Sequence, residues 1–168
     1  RSCPLTRRLT RSFFLRPVPV LARSLLGMTL LKDGVGGPIV EVEAYHQDEP
    51  AAHSHCGKTK RNASTFLKGG HVYVYRIHQS VCVNVVCGRA GEGAAVLVRA
   101  LRPDAGRERI HERRGHKPER LWTDGPGKLC AALAITLADD GLDLLASDCP
   151  IKLINTGLRF EKTQVEIG

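Results

Sequence analysis

Short segments rich in β-branched and aromatic residues dominate the middle of this 168-residue chain. They predict strands over residues 28–31, 38–45, 71–77, 81–87 and 94–101, with a closing strand over 151–154. Apolar residues at helical spacing predict a helix over 18–26, and two more helices are expected over 104–114 and 127–135. Strands grouped in the middle with helices around them predict an α+β or mixed α/β fold. The length suits one compact domain spanning residues 1–168.

One of these strands carries two carboxylates. Alternation along residues 40–45 predicts the apolar positions on one face, namely Val40, Val42 and Ala44. The opposite face then holds Glu41, Glu43 and Tyr45. The pattern is typical of a half-buried strand with a solvated acidic face. It also suits cleavage of a glycosidic bond, which needs a carboxylate to activate water and an aromatic wall to hold a flat base.

Polar side chains stand inside other apolar strands. Asn84 lies among valines, and an amide in that setting either bonds to a nearby loop backbone or offers a contact to a ligand. Arg99 lies in a run of valine, leucine and alanine, where a buried guanidinium requires an anion, and Glu43 is a candidate for it. Tyr73 and Tyr75 are predicted to share one strand face.

The basic composition points to a polyanionic partner. A net charge of +8 favours nucleic acid, although an anionic membrane surface or solubility alone would also account for it. Residues 124–128 open a helix with Gly, Pro and Lys128, where free backbone N–H groups suit a phosphate. An ordinary capped helix is the alternative. Position 129 is Leu, which disfavours a nucleotide-triphosphate loop because that loop needs Ser or Thr there.

Neither a metal site nor a membrane span is expected. His53, His55 and Cys56 stand close together, but no second ligand pair completes a zinc site. The six cysteines are scattered and are expected to be reduced. No apolar run approaches the length of a membrane span, and no signal segment follows Arg1. We therefore expect a soluble protein that is not secreted, located in the cytoplasm or nucleoid of a bacterium or in the nucleus of a eukaryote.

Seven motifs in this order resemble the alkyladenine (3-methyladenine) DNA glycosylase family. They are VEVEAY (40–45), AAHS (51–54), KTKRN (58–62), YVY (73–75), CVNVV (82–86), LVRAL (97–101) and GPGKLC (125–130). The resemblance runs from about residue 5 to residue 168. It implies a single-domain mixed α/β fold with an antiparallel β core, similar to the C-terminal domain of methionyl-tRNA formyltransferase. It implies no metal and no redox cofactor.

The resemblance also implies roles for two residues in the chemistry. Glu43 is similar to the residue that activates the hydrolytic water, and Arg99 to its partner in holding that water. Water is then the nucleophile. No lysine Schiff base is implied, so the expected product is an intact abasic site.

Four further residues resemble the family's base pocket. Tyr45, His53 and Tyr75 are similar to the walls that stack on and hydrogen-bond a flipped purine. Asn84 resembles the residue that meets the 2-amino group of normal guanine, so a penalty of about 1–3 kcal/mol against guanine is expected to spare undamaged DNA. The implied substrates are 3-methyladenine, hypoxanthine and ethenoadenine. The implied partner is double-stranded DNA that contains a damaged purine, bound by a monomer after base flipping.

Contacts to DNA are expected from Lys58, Thr59, Arg61 and Lys128. Family members carry tyrosine, glycine and methionine in the hairpin that enters the minor groove, whereas residues 77–80 here are Ile, His, Gln and Ser and the hairpin is one residue shorter. His78 is the predicted wedge. A smaller and polar side chain fills the vacated stack less well than tyrosine, so weaker or pH-sensitive flipping is expected.

The family sequence normally continues past residues 165–168 with a strand-rich segment that adds DNA contacts. A backbone carbonyl near Ile167 is implied to help hold the catalytic water, so loss of that segment is expected to compromise activity. Two other interpretations stay open. One is a non-catalytic nucleic-acid-binding module of the same fold. The other is an RNA-binding or tRNA-modifying domain, which would depend on 2′-hydroxyls or stem shape.

Overall fold

The computed structural model describes residues 8–52 and 54–158, and the backbone of 165–167. Its α-helices in those ranges are α1 (Arg11–Phe14), α2 (Val18–Leu25), α3 (Arg107–Arg114) and α4 (Pro126–Leu133). Shorter 3-10 helices span Ala63–Phe66, Glu119–Leu121 and Leu137–Asp139. The three α-helices predicted from the sequence are confirmed, each within a few residues of its expected bounds. No helix of this described part is long and apolar enough to cross a membrane.

The strands are β1 (Thr29–Lys32), β2 (Val35–Tyr45), β3 (Val72–Ile77), β4 (Ser80–Cys87), β5 (Ala94–Leu101), β6 (Ile151–Ile154) and β7 (Val165–Ile167). The first six form an antiparallel sheet in the order β3-β4-β5-β2-β1-β6, and β7 pairs with β2 in parallel. The architecture is therefore mixed α+β, as predicted. β2 begins earlier than expected, and a Cβ at its Gly36 would lie 2.0 Å from the carbonyl oxygen of Leu30. Glycine is thus what lets β1 and β2 approach there.

The pairing between β2 and β5 contains two bulges that compensate each other. Val40 is an extra residue in β2, and Arg99 is an extra residue in β5. The first bulge shifts the register by one residue and the second shifts it back. From Val42 to Tyr45 the two strands again pair one to one. The irregularity is therefore confined to a few residues, and bulges of this kind re-aim the side chains beside them.

The bulge overturns one prediction. Val40 was expected on the buried face with Val42 and Ala44, yet it is 37% exposed whereas both of those residues are buried. Ile39 occupies the buried position instead. A single extra residue reverses the alternation of every side chain before it. The pattern of residue types in this strand does not reveal where that extra residue is.

The four strands β2, β3, β4 and β5 have two differently built faces. One face packs against α2 and α4 and belongs to the main hydrophobic core, which extends from Phe14 to Leu153. The other face carries a second buried cluster that includes Tyr73, Tyr75 and Leu97, with Tyr45 packed at its edge. The predicted sharing of one face by the two β3 tyrosines is confirmed.

A long loop follows Tyr45 and crosses this second face. Two contacts hold it against the sheet. The Ser54 hydroxyl donates to the carbonyl oxygen of Gly93 at 2.5 Å, and the Arg61 guanidinium donates to the carbonyl oxygen of Arg76 at 2.6 Å. The loop therefore forms one wall of a space above the strands, and loops of this length in compact domains commonly serve function.

Candidate active site

An arginine bridged by two glutamates lies at the bulged part of the sheet. Arg99 Nη1 is 2.6 Å from Glu43 Oε2, and Arg99 Nε is 3.2 Å from Glu41 Oε1. The sequence expectation that Arg99 pairs with Glu43 is confirmed, whereas the second carboxylate on the same guanidinium was not foreseen. Glu43 is the more enclosed acid, with 12% of its side chain exposed against 33% for Glu41. Arg99 is 35% exposed, so it is half-buried rather than fully buried as expected.

Tyr45 lies two residues after Glu43 on the same face of β2. Burial, followed by the hydrogen bond to Glu43 and its negative charge, raises the pKa of Tyr45 well above its ordinary value. Its phenol therefore stays protonated and can donate a hydrogen bond at any physiological pH. The carboxylate that could activate water is thus connected directly to an aromatic side chain.

Tyr45 also opens onto a small cavity of about 50 Å³ between the loop and the sheet. The walls combine three tyrosines, one amide, two hydroxyls and small residues. They are Tyr45, Ala51, Ala52, Ser54, Thr65, Tyr73, Tyr75, Asn84, Gly93 and Ala95.

The tyrosines give this cavity flat apolar surfaces with hydroxyl groups. The rings of Tyr73 and Tyr75 stack with centroids 5.3 Å apart and an angle of 29° between their planes. Burial raises the pKa of Tyr73 to about 12 and raises the pKa of Tyr75 further. Both phenols are therefore neutral at physiological pH. Aromatic walls with a few polar groups suit a planar heterocycle better than a flexible or highly charged ligand.

Asn84 forms part of the cavity wall and is 4% exposed. Its side-chain amide donates to the carbonyl oxygen of Tyr73 on the neighbouring strand at 3.2 Å. The sequence left a loop backbone and a ligand as alternative partners for this amide. The backbone partner of Asn84 lies in a strand rather than in a loop, and the amide also faces the cavity. Asn84 can therefore keep its hydrogen bond to Tyr73 and contact a ligand at the same time.

One predicted wall residue, His53, lies outside the described residues. Its neighbours Ala52 and Ser54 both line the cavity. Sequence reasoning assigned no role to the other small wall residues. Thr65 is in the 3-10 helix that closes the loop, and Gly93 is in the turn between β4 and β5. The signal that could have found them is the loop itself, since a long segment must pass over the sheet face that holds the tyrosines.

The hairpin between β3 and β4 projects beside the cavity. Ile77 pairs with Ser80, which leaves a two-residue turn, and His78 adopts a φ of 53° in it. Ile77 is 41% exposed, and His78 is exposed as well. Alternation along β3 places Ile77 on the same side as Tyr73 and Tyr75. The tip therefore presents an apolar side chain on the cavity side and an imidazole at the turn.

The residues predicted to contact phosphates lie on the surface, and they differ in the intramolecular bonds that they already make. Lys58 and Thr59 are exposed in the loop, and the Thr59 backbone N–H donates to the Asn62 side chain at 2.6 Å. Arg61 is also exposed but donates to the backbone of β3. Lys128, in the first turn of α4, is 2.9 Å from Asp124.

The first turn of α4 also supports the hairpin. A Cβ on Gly127 would lie 2.8 Å from the Cβ of Ser80, so glycine permits close packing of the helix start against β4. The Asp124–Lys128 stretch is therefore a structural support as well as a candidate contact. Within the described residues, no group of three or more His, Cys, Asp or Glu side chains could hold a metal ion.

Comparison with known proteins gives consistent matches. Residues 12–167 match the family model described as methylpurine-DNA glycosylase. Three curated bacterial relatives carry names of 3-methyladenine DNA glycosylases. The relative from Nitrobacter winogradskyi is 52% identical over 98% of this chain and 77% of its own length. The relative from Rhodopseudomonas palustris strain BisB18 is 53% identical over 82% and 69%, and that from Bradyrhizobium diazoefficiens is 50% identical over 83% and 70%.

Proposed function

The chain belongs to the methylpurine-DNA glycosylase family, and on this premise we propose that it is a DNA-3-methyladenine glycosylase, a hydrolase of N-glycosyl bonds in base-excision repair. The observation that carries the proposal is the enclosed Glu43–Arg99 pair next to a cavity walled by tyrosines. A carboxylate beside a site for a flat base is what hydrolysis of a nucleoside bond requires.

The base enters the cavity after it has been flipped out of the duplex. Tyr45 and Tyr75 contact its faces and edges, and His53 is a further contact implied by the family resemblance. Asn84 contacts the position that carries the 2-amino group in guanine, so adenine-like and hypoxanthine-like bases are preferred. The substrates proposed are 3-methyladenine, hypoxanthine and ethenoadenine. Burial of a base between neutral phenols is favourable because they add hydrogen-bonding groups without charge.

Hydrolysis follows from the position of Glu43. Its carboxylate takes a proton from water as the water oxygen attacks C1′ of the sugar. The N-glycosyl bond breaks, and its electron pair leaves with the base. The ionised Glu43 also stabilises the positive charge that develops on the sugar. No covalent bond to the protein is formed, so the product is an intact abasic site.

Arg99 holds Glu43 in one orientation, and together they hold the water. Lys58, Thr59, Arg61 and Lys128 contact phosphates. Of these, Arg61 and Lys128 exchange the intramolecular partners described above for DNA oxygens. The net charge of +8 assists such contacts and predicts that affinity falls steeply with salt. The hairpin tip at Ile77 and His78 enters the minor groove and fills the position of the flipped base.

The deciding experiment is single-turnover release of hypoxanthine and ethenoadenine from duplex oligonucleotides by the parent protein and by Glu43→Gln. The variant should lose about 10²- to 10⁴-fold in rate while its affinity for the lesion duplex is retained, because a general base contributes that much. Asp148→Asn removes an exposed carboxylate at a distance from the cavity and serves as the matched control.

Two results would contradict the proposal. Lesion binding by the parent without release of any base would favour a binding module of the same fold. Preference for RNA over lesion-containing DNA would favour the RNA-binding alternative. The similarity to the formyltransferase C-terminal domain, which the family resemblance implies, agrees with that alternative. This similarity stays a prediction.

A further inference from the structure

Glu41 is the residue whose position the proposed reaction does not yet explain. Its carboxylate contacts the Nε of Arg99 at 3.2 Å, while Glu43 contacts Nη1 of the same guanidinium at 2.6 Å. Two donors of one arginine are thus directed at two different acids. A surface ion pair would need only one of them.

The compensating bulges account for this arrangement. Arg99 is the extra residue of β5, and Val40, which precedes Glu41, is the extra residue of β2. In a regular ladder, a residue of β5 has a single residue opposite it in β2. The extra residues direct the Arg99 side chain to the face where Glu41 and Glu43 both project, at positions about 7 Å apart along the strand. The two bulges together thus position one guanidinium between two carboxylates.

The charge balance gives this contact a chemical consequence. A lone arginine that contacts Glu43 would neutralise it, and a neutralised carboxylate is a weaker proton acceptor and a weaker stabiliser of a cationic sugar. A second carboxylate on the same arginine leaves the three groups with a net charge of −1. The guanidinium can then orient Glu43 without cancelling its negative charge.

We propose that Glu41 is a positioning residue that shares Arg99 with Glu43, so that Glu43 is held in place and the group as a whole stays negative toward the sugar. The role rests on the proposed function, because it concerns the same carboxylate. Glu41 itself touches neither water nor base in this scheme, and it acts through Arg99.

Other charged and titratable groups around Glu43 are few in the described residues. Tyr45 on β2 is hydrogen-bonded to Glu43, and Glu49 in the loop acts on Tyr45 by its charge. Cys82 on β4 lies near enough to Arg99 to feel its charge, but burial raises the pKa of the Cys82 thiol and keeps it neutral. Glu166 of β7 pairs with Glu43 through the backbone. Of the acids with described side chains, only Glu41 and Glu43 contact Arg99.

The test compares pH–rate profiles of single-turnover excision for the parent, Glu41→Gln and the control Asp148→Asn. Loss of the Glu41 charge should stabilise ionised Glu43, so the acid limb of the profile moves to lower pH by about 0.5–1.5 units. The plateau rate should fall about 2- to 10-fold because Glu43 becomes a weaker base. Affinity for the lesion duplex should remain within about twofold, since binding does not use this charge.

A second measurement needs no catalysis. Titration of the Glu43 carboxyl by ¹³C NMR in the DNA-free protein should show a lower pKa in Glu41→Gln than in the parent. An acid limb and a carboxyl titration that are both unmoved would overturn the proposal, even if the variant were slower or less stable. If the parent releases no base, the proposed function fails, and the NMR titration still decides whether Glu41 acts on Glu43.

Discussion

The two faces of the strands β3, β4 and β5 are equally buried but differently composed. Residues that face the helices are mostly valines, with exposures of 2% or less: Val72, Val74, Val83, Val85, Val96 and Val98, together with Cys87 and Ala94. Residues on the cavity side are buried to a similar degree, with exposures of 0–8%, but four of them carry a polar group: Tyr73, Tyr75, Cys82 and Asn84, beside Val86, Ala95 and Leu97. Adjacent positions in the same strands therefore serve opposite purposes.

This contrast teaches that burial alone does not identify a site in this protein. A buried valine contributes to stability through its apolar area. A buried phenol or amide is costly to remove from water, and the rise in the pKa of Tyr73 to about 12 records that loss of water. The cavity face is thus the less stabilising of the two.

Alkaline titration should produce the largest effect of this difference. The chain has three tyrosines in all, and each of them lines the cavity. In the folded protein, ultraviolet absorbance should therefore show no tyrosinate with the ordinary pKa near 10. Because Tyr73 stays neutral in the folded protein whereas an unfolded tyrosine ionises near pH 10, the free energy of unfolding is unaffected by this group below pH 10 and falls as the pH rises to about 12. The loss amounts to about 3 kcal/mol for this residue.

Tyrosinate should consequently appear together with unfolding, and Tyr73→Phe should reduce the pH dependence of unfolding above pH 10. A phenol that titrates near pH 10 while the protein is still folded would mean that the cavity face is open to water. That result would remove the contrast with the valine face.

A substitution on the opposite face should have a smaller effect and a different readout. Val74→Ala removes apolar volume from the core and should lower the free energy of unfolding by about 2 kcal/mol. This corresponds to a fall in Tm of about 4–8 °C. The excision rate of the folded protein should be unchanged.

Tyr75→Phe, at the next position of the strand, should have the opposite profile. Its Tm should change little, whereas its preference among damaged bases should change. If both variants changed Tm and excision alike, the two faces would not be functionally separate.

The smallest effect is expected at the hairpin tip, where neither face is buried. Ile77→Ala removes the exposed apolar side chain and should weaken lesion-duplex affinity by about 3- to 10-fold. His78→Gly removes the imidazole but suits the positive φ of the turn, so the hairpin is retained. Neither variant should lower Tm by more than about 1 °C. A greater loss with His78→Gly than with Ile77→Ala would assign the wedge to His78, as the sequence comparison predicts.

Sequence alone predicted most of the fold, because the strands are short β-branched runs separated by glycine and polar residues. The shared face of Tyr73 and Tyr75 followed directly from alternation, and the Glu43–Arg99 pair followed from the need of an enclosed guanidinium for an anion. Val40 was assigned to the wrong face because a bulge depends on the register between two strands. The local residue pattern contains no record of that register.

The cavity was harder to predict than the acids beside it. Its far wall comes from a loop that has no periodicity, and Thr65 and Gly93 reach it through contacts distant in sequence. The second carboxylate on Arg99 was missed for the same reason as the bulge. The assigned roles of Lys58, Thr59, Arg61, Lys128 and His78 remain predictions, since they concern contacts with DNA.

The paired bulges also bear on how this gene could change in length. Removing the codon for Val40 or for Arg99 alone would leave a single bulge between the two strands, and removing both would restore a regular ladder with the other pairings intact. The sheet could therefore absorb a one-residue deletion in either strand at this point. Only a deletion in β2 would leave the guanidinium of Arg99 in place, so the two strands differ in the length changes that the proposed chemistry could survive.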